Sequence, residues 1–266
     1  MRRAPVSIGV FALVLSASTL SGQVAIPAPE AGKCSLVWNG FETEIEHLLS
    51  DGKIAKMENV PIGVTKPQRA VLEGSPVRFA WKPLPPGYSK GFMESYKAEI
   101  AAYKLDRMLG INMVPPIVER EIDRKKGAAV YWVENVRGWS VEKPPQGPEP
   151  GWSIQLTRMK MFDLLIANID RNQGNLIYDA DWHLFLIDHS RAFINKKDLK
   201  NLAPLARVDR KLWEKMQALT LESLDAGLGE WVGNNEKKAI LIRRDLMAKT
   251  IESMIAKSGE KFVFYE

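Results

Sequence analysis

The sequence predicts an α+β fold in two lobes, a strand-rich N-lobe over residues 34–140 and a helical C-lobe over 152–266. Two contrasts and a linker carry that prediction. Before residue 140 the apolar residues alternate or run in short β-branched and aromatic blocks, as in "RAVL", "VRFAW" and "AAVYWV". After 152 they recur at helical spacing over long stretches. Between the two lies a linker at 141–151, containing the Pro- and Gly-rich "EKPPQGPEPG". At 266 residues and 45% hydrophobic composition the chain can bury a sizeable core. Its formal charge of +5 is spread along the chain and forms no basic stripe, which argues against a nucleic-acid partner.

The elements follow in order. Arg2 and Arg3 precede the apolar stretch Ile8 to Ala17 and then small polar residues, the three-part layout of a secretory signal over 1–22. A spanning helix needs about 20 apolar residues, so a cleaved signal is expected ahead of an uncleaved anchor. A Pro/Ala spacer over 23–33 follows. Cys34 is the sole cysteine, so no intramolecular disulfide can form, and an exported chain without one points to a bacterial periplasm or cell envelope. "FETEIEHLL" places Ile45, Leu48 and Leu49 on one side of a short helix. A hairpin is expected from Arg69–Leu72 through the turn Glu73-Gly74-Ser75-Pro76 to Val77–Trp81, with Lys82 ending its second strand. "SYKAEIAAYKLDRMLG" is a helix with Ala98, Ala101, Ala102, Leu105, Met108 and Leu109 in one stripe, Glu99 beside it and Gly110 as its stop. "AAVYWVENV" reads as a buried strand.

In the C-lobe, Ser153 is placed to cap a helix that runs to about Ala167 and is apolar on nearly all sides. A hairpin follows, Leu176–Tyr178 and Trp182–Ile187 about Asp179-Ala180-Asp181. "RVDRKLWEKMQAL" and "NEKKAILIRRDLMAKTIESMIAK" are helices whose basic sides are expected to face solvent. Antiparallel pairing sets Asn175 opposite Leu186 or Ile187, so Asp188 lies beside it at the open end. A carboxylate plus an amide is a sufficient protein share of a hard divalent cation's shell. Asp170, at the end of the buried helix, has a carboxylate free to face a substrate.

"DRNQGN" followed by "LID" resembles the catalytic loop and metal-binding aspartate of protein kinases. Lys82 in "FAWKP" and Glu99 in "YKAEIAAYKLDRMLG" resemble the phosphate-holding lysine and its helical partner. "EIAAYKLDRMLGINMVPP", "NIDRNQGN" and "IDHSRAF" together are similar to four-jointed-type secretory-pathway kinases and to bacterial relatives of the phosphatidylinositol 3- and 4-kinases. The resemblance implies a bilobal protein-kinase-like fold and ATP-dependent transfer of the γ-phosphate to a hydroxyl acceptor on a protein, lipid or sugar, outside the cytoplasmic membrane. Asp170 would be the base, with Asn175 and Asp188 holding Mg²⁺ or Mn²⁺. Lys82, kept in place by Glu99, would contact the nucleotide. Arg171 would either neutralise the transferring phosphate or form a structural ion pair. Gly63 and Gly74 are the glycines available to a phosphate-covering loop, and the backbone at Glu134–Val136 is the expected adenine hinge. Two other outcomes are a silent nucleotide- or ligand-binding module on the same fold, and an AMP transferase or ligase. The aspartate is followed by His189 and Ser190 where protein kinases have Phe and Gly, and Asn168-Ile169 stand where they have His-Arg.

Overall fold

The computed structural model describes residues 38–60, 68–89, 91–144, 147–202 and 204–266. The expected signal, the spacer, Cys34 and Gly63 lie outside these residues. The N-lobe opens with α1 (Glu42–Asp51), whose Ile45 and Leu49 are buried one turn apart. Then come β1 (Ile54–Asn59), β2 (Gln68–Leu72) and β3 (Arg78–Lys82), with β2 and β3 pairing Gln68 to Trp81 and Val71 to Arg78 about the expected turn. A small hairpin, β4 (Gly87–Ser89) and β5 (Phe92–Glu94), leads into α2 (Tyr96–Leu109). Next are β6 (Ile117–Ile122) and β7 (Lys125–Tyr131), which close an antiparallel five-stranded sheet in the order β1-β2-β3-β7-β6.

Period-two alternation decides what each face of that sheet meets. Phe79, Trp81, Ala129 and Tyr131 join Trp38, Ile45 and Leu49 in one core beneath α1. Ala80, Ala128 and Val130 face the other way, against Ala98, Ala101 and Ala102 of α2. Small residues on both sides allow the helix a close approach to the sheet. Ser95 caps α2 by accepting the Lys97 N–H, and Gly110 ends it at φ +62°, the left-handed geometry of a helix stop. Met108, expected in the buried stripe, is exposed, while Tyr96, Ile100 and Asp106 are buried in addition.

The chain leaves the first sheet after Tyr131, and β8 (Val136–Gly138) pairs with β9 (Leu176–Asp179), which pairs with β10 (Leu184–Leu186). The crossover thus falls at residues 132–135, ahead of the Pro- and Gly-rich stretch, because the backbone groups of β8 are satisfied by the second sheet. Between these strands runs α3 (Gly151–Ile166), buried along its second half. Ser153 lies within its first turn and donates to Glu149 at 2.7 Å, so it is not the cap. The rest comprises β11 (Val208–Asp209), α4 (Arg210–Gln217), α5 (Leu221–Leu228), α6 (Asn234–Ser258), α7 (Glu260–Val263) and β12 (Phe264–Tyr265), with β12 parallel to β11. Two basic residues of α6 are buried, contrary to the solvated face expected. Lys237 donates to Asp225 and to the Gly229 carbonyl, and Arg243 donates to the carbonyls of Leu165, Ile194 and Lys196. No helix among the described residues is long and apolar enough to cross a membrane.

Candidate active site

Lys82 has the parity of Ala80, so its side chain leaves β3 on the α2 side of the sheet. There its Nζ meets Glu99 Oε1 at 2.8 Å and Asp188 Oδ1 at 3.4 Å, with the lysine side chain only 12% exposed. Glu99 is fully buried, and its second oxygen accepts the backbone N–H of His189 at 2.9 Å. Three stretches distant in sequence are joined by one buried ammonium. Burial alone would lower the Lys82 pKa, but Glu99 and then Asp188 reverse this and raise it. The Lys82 charge holds Asp188 below the usual carboxylate range, against burial. Burial pushes Glu99 up, opposed by Lys82 and by the His189 N–H.

The loop that carries Asp170 and Asn175 is positioned by the C-terminal end of α3. A helix leaves its last four carbonyls without intrahelical partners, and here each finds one. Asp163 O accepts from Asn168 N at 2.9 Å and Leu164 O from Ala167 N at 3.3 Å, about a left-handed Ala167. Leu165 O accepts from Arg243 Nε at 2.9 Å, and Ile166 O from Phe193 N at 2.7 Å. The loop leaving this end is therefore anchored to α6 and to the chain beyond Asp188. Asn168 turns back, donating to Asp163 Oδ1 and accepting the Asp170 N–H at 3.2 Å. Asn175 donates its amide to the Asp170 carbonyl at 2.9 Å, which leaves its amide oxygen available as a ligand.

The β9–β10 register pairs Leu176 with Leu186, so Asn175 stands opposite Ile187, whose N–H reaches the Asn175 carbonyl at 3.2 Å. This agrees with the expected register, although the connection is centred one residue later than read: Trp182 sits in it at φ +66° rather than in the strand. Asp179 shapes the turn by accepting the N–H groups of Asp181 and His183, and its other oxygen is 2.8 Å from His183 Nδ1. Those three side chains offer ligand atoms within 4.8 Å of one another, and two of them, Asp179 and His183, are hydrogen-bonded to each other.

Of the residues singled out in the sequence, Lys82, Glu99 and Asp188 form one cluster, and Asp170 and Asn175 lie on the loop beside it. Glu134 and Val136 are at the crossover, where Glu134 pairs with Arg78 at 3.2 Å. Arg171 is engaged inward: Asp163 takes Nε and Nη2 at 2.9 and 3.1 Å, and the carbonyls of Asn175 and Ile187 both take Nη1 at 2.9 Å. These bonds form an ion pair with Asp163 that ties the loop to α3 and to the segment before Asp188. Arg171 Nη2 also lies 2.8 Å from His189 Nε2, and since a guanidinium only donates, Nε2 accepts and Nδ1 carries the proton. Burial first, then Arg171 and Lys82, lower the His189 pKa well below its ordinary value, so the ring is neutral.

Sequence reading missed Arg191, which reaches Asp170 Oδ2 at 3.1 Å, and Gly127 on β7. A Cβ at Gly127 would stand 2.7 Å from the Lys82 carbonyl oxygen and 2.9 Å from Pro83 Cα. A glycine inside a strand pattern is a signal of such close approach; for Arg191 the sequence offered none. Both protein donors to Asp188, Lys82 and Ser190, meet Oδ1. An aspartate and an amide oxygen beside a buried lysine are the donor chemistry that suits a divalent ion carrying nucleotide phosphates.

No model of a known protein family matches the chain. It is 27% identical over 123 residues to "Protein Rv2133c" of Mycobacterium tuberculosis, covering 34% of this chain and 44% of that protein, so it spans less than half of that relative. A solved structure of "hydra Fam20 with sugar" superposes with a TM-score of 0.66 at 18% identity, over 92% of this chain and 96% of that one. The "Golgi casein kinase" superposes at 0.64 with 14% identity, over 85% and 79%. The same kinase "with Mn/ADP bound" gives 0.63 over the same shares. With the antiparallel N-lobe sheet and the helical C-lobe, these likenesses establish that the chain has an atypical bilobal protein-kinase-like α+β fold.

Proposed function

We propose that the chain is an ATP-dependent phosphotransferase acting on a hydroxyl acceptor. The observation that carries this reading is Lys82 Nζ placed 2.8 Å from Glu99 and 3.4 Å from Asp188, a cation gathered from strand, helix and post-hairpin segment where a nucleotide's phosphates need one. Phosphoryl transfer asks a protein mainly for positioning and charge neutralisation. Lys82, fixed by Glu99, contacts the phosphates. Asn175 and Asp188 would hold Mg²⁺ or Mn²⁺, which would supply neutralisation of the phosphate charge. Asp170 orients the acceptor hydroxyl; its oxygen bonds to the γ-phosphorus, the bond from that phosphorus to ADP breaks, and the hydroxyl proton passes to the Asp170 carboxylate. General-base help of this kind is worth roughly 10²- to 10⁴-fold. Arg171 serves as the loop's structural anchor, and the backbone at Glu134–Val136 receives the adenine.

Support for nucleotide and divalent metal comes from the Mn/ADP complex of the Golgi casein kinase, and for a hydroxyl-rich acceptor from the sugar complex of hydra Fam20. The relation to phosphatidylinositol kinases rests on the sequence motifs alone. The N-terminal Arg-Arg, apolar and small-polar layout, with a single cysteine in the chain, supports placing the reaction in a bacterial periplasm or envelope.

Thermal unfolding of the full chain with ATP or ADP and Mn²⁺ or Mg²⁺ tests the reading. Nucleotide at a hundredfold excess over Kd adds about 2.7 kcal/mol of stability, roughly 5–10 °C for a chain of this size. The shift is expected to require metal and to vanish in Asp188→Asn. No shift with any nucleotide and metal would overturn the proposal.

A further inference from the structure

Arg191 follows Asp188 by three residues, and its guanidinium is held on three sides. Nε and Nη2 both donate to Glu94 Oε1, at 2.8 and 2.6 Å. Nη1 lies 3.1 Å from Asp170 Oδ2, and the guanidinium carbon lies 4.5 Å from the centre of the Phe92 ring. With 23% of its side chain exposed, this is no loosely swinging surface pair. The Nε–Nη2 edge fixed on Glu94 and the face resting on Phe92 leave Nη1 little choice of position, so one oxygen of Asp170 is tied and the other is the one able to face an acceptor. The support itself is anchored. Glu94 immediately precedes Ser95, the cap of the helix that carries Glu99, and the Ser95 N–H donates to the Ser190 carbonyl at 2.9 Å. A chain of bonds therefore runs from Asp170 through Arg191 and Glu94 to α2, Glu99 and Lys82.

We propose that Arg191 is a positioning residue for the transfer. It fixes the rotation of the Asp170 carboxylate and, through Glu94 and the β4–β5 hairpin, sets the acceptor side of the site in register with the helix that holds Lys82. The inference rests on the phosphotransferase reading above. Arg171 cannot share the task, because Asp163 and two carbonyls consume its guanidinium.

The test is ADP release from ATP with Mn²⁺, water serving as acceptor, for the full chain and for Arg191→Met, Arg191→Lys, Glu94→Gln, Asp170→Asn and the Arg191→Met/Asp170→Asn double variant. Each variant's nucleotide-dependent melting shift is read in parallel. In Arg191→Met the shift and the KM for ATP are expected to stay within about twofold while kcat falls about tenfold or more, since misplacing a reacting group by an ångström costs up to about a hundredfold. Arg191→Lys restores part of the loss and Glu94→Gln reproduces part of it. The double variant is no slower than Asp170→Asn, as expected of residues acting as one unit. Unchanged kcat in Arg191→Met, an equal further fall in the Asp170→Asn background, or loss of the nucleotide shift together with activity would each overturn the positioning role while leaving the phosphotransferase reading intact. A parent chain that binds no nucleotide, or binds it and releases no ADP, would overturn both.

Discussion

At the scale of single residues, Asp188 shows how the site is held. Its backbone lies in the left-handed region at φ +61°, which a non-glycine residue adopts at a cost of about 1 kcal/mol. The kink ends the run of β10 and aims the next N–H, that of His189, at Glu99, while the Asp188 carboxylate meets Lys82. Strain of this kind persists only where neighbouring bonds over-determine it. Lys82 holds the Asp188 pKa below its ordinary value, and the sign of the pH dependence follows. An acid whose folded pKa is depressed contributes stability above its unfolded pKa, about 4, and loses it as pH falls through the lower folded value. Without nucleotide, the melting temperatures of the parent chain and of Asp188→Asn are therefore expected to differ at pH 7 and to converge toward pH 3. A gap that stays constant across the range would mean the charge pair contributes nothing. Asp106 offers a contrast, buried and accepting the N–H groups of Asn112, Met113 and Val114 at 3.0–3.1 Å, with burial pushing its carboxyl up to about 7.

At the scale of elements, the approach of β7 to the end of β3 decides where Lys82 sits. Gly127 brings its α-carbon against the backbone of Lys82 and Pro83, and backbone cannot move aside as a flexible side chain can. Gly127→Ala is expected to cost about 1–3 kcal/mol by overpacking and to shrink the nucleotide-dependent melting shift. Gly138→Ala, whose added carbon would meet only Val141 Cγ2 at 3.8 Å, should leave that shift unchanged. Should both substitutions behave alike, the close approach has no bearing on Lys82. Much of this geometry was legible. The hairpin signal put Lys82 at the end of its strand, the resemblance to kinases paired it with Glu99 on the following helix, and a short hairpin set Asn175 opposite Leu186 or Ile187 because register there is set by the turn. The Glu94–Arg191–Asp170 chain was not legible, since its members come from a hairpin, a loop and a post-strand segment that no local period connects. Arg171 was ambiguous for a related reason: whether a cation faces inward depends on the buried Asp163 and on carbonyls whose directions only tertiary packing sets.

At the scale of the whole molecule, the long helix α6 holds the Asp170–Asn175 loop from behind. Arg243 is fully buried and reaches the Leu165 carbonyl at the end of α3 together with the Ile194 and Lys196 carbonyls beyond Asp188. A cation at a helix C-terminus is favoured by the helix dipole, yet burial lowers the Arg243 pKa to about 10. Removing the guanidinium relieves that desolvation cost but leaves several carbonyls without their donor, at about 1–3 kcal/mol for each that finds no water. The second effect is the larger, because the Leu165 and Lys196 carbonyls both take their donor from this one side chain, while the Ile194 carbonyl keeps the Lys196 N–H at 2.7 Å. Arg243→Met is accordingly expected to destabilise the chain by about 2–4 kcal/mol, a fall in melting temperature of roughly 5–15 °C. Lys238→Met, on the exposed side of the same helix, should stay within about 0.5 kcal/mol. Hydrogen exchange separates this from a uniform loss of stability. If α6 clamps the loop, Arg243→Met raises exchange most at the Asn168 and Phe193 amides, which donate to the carbonyls of Asp163 and Ile166 at the end of α3, and at the Asp170 amide, which donates to the Asn168 side chain, and leaves the Ala80 and Val130 amides of the N-lobe sheet protected. Equal loss of protection in both lobes would make Arg243 a contributor to global stability with no particular hold on the site.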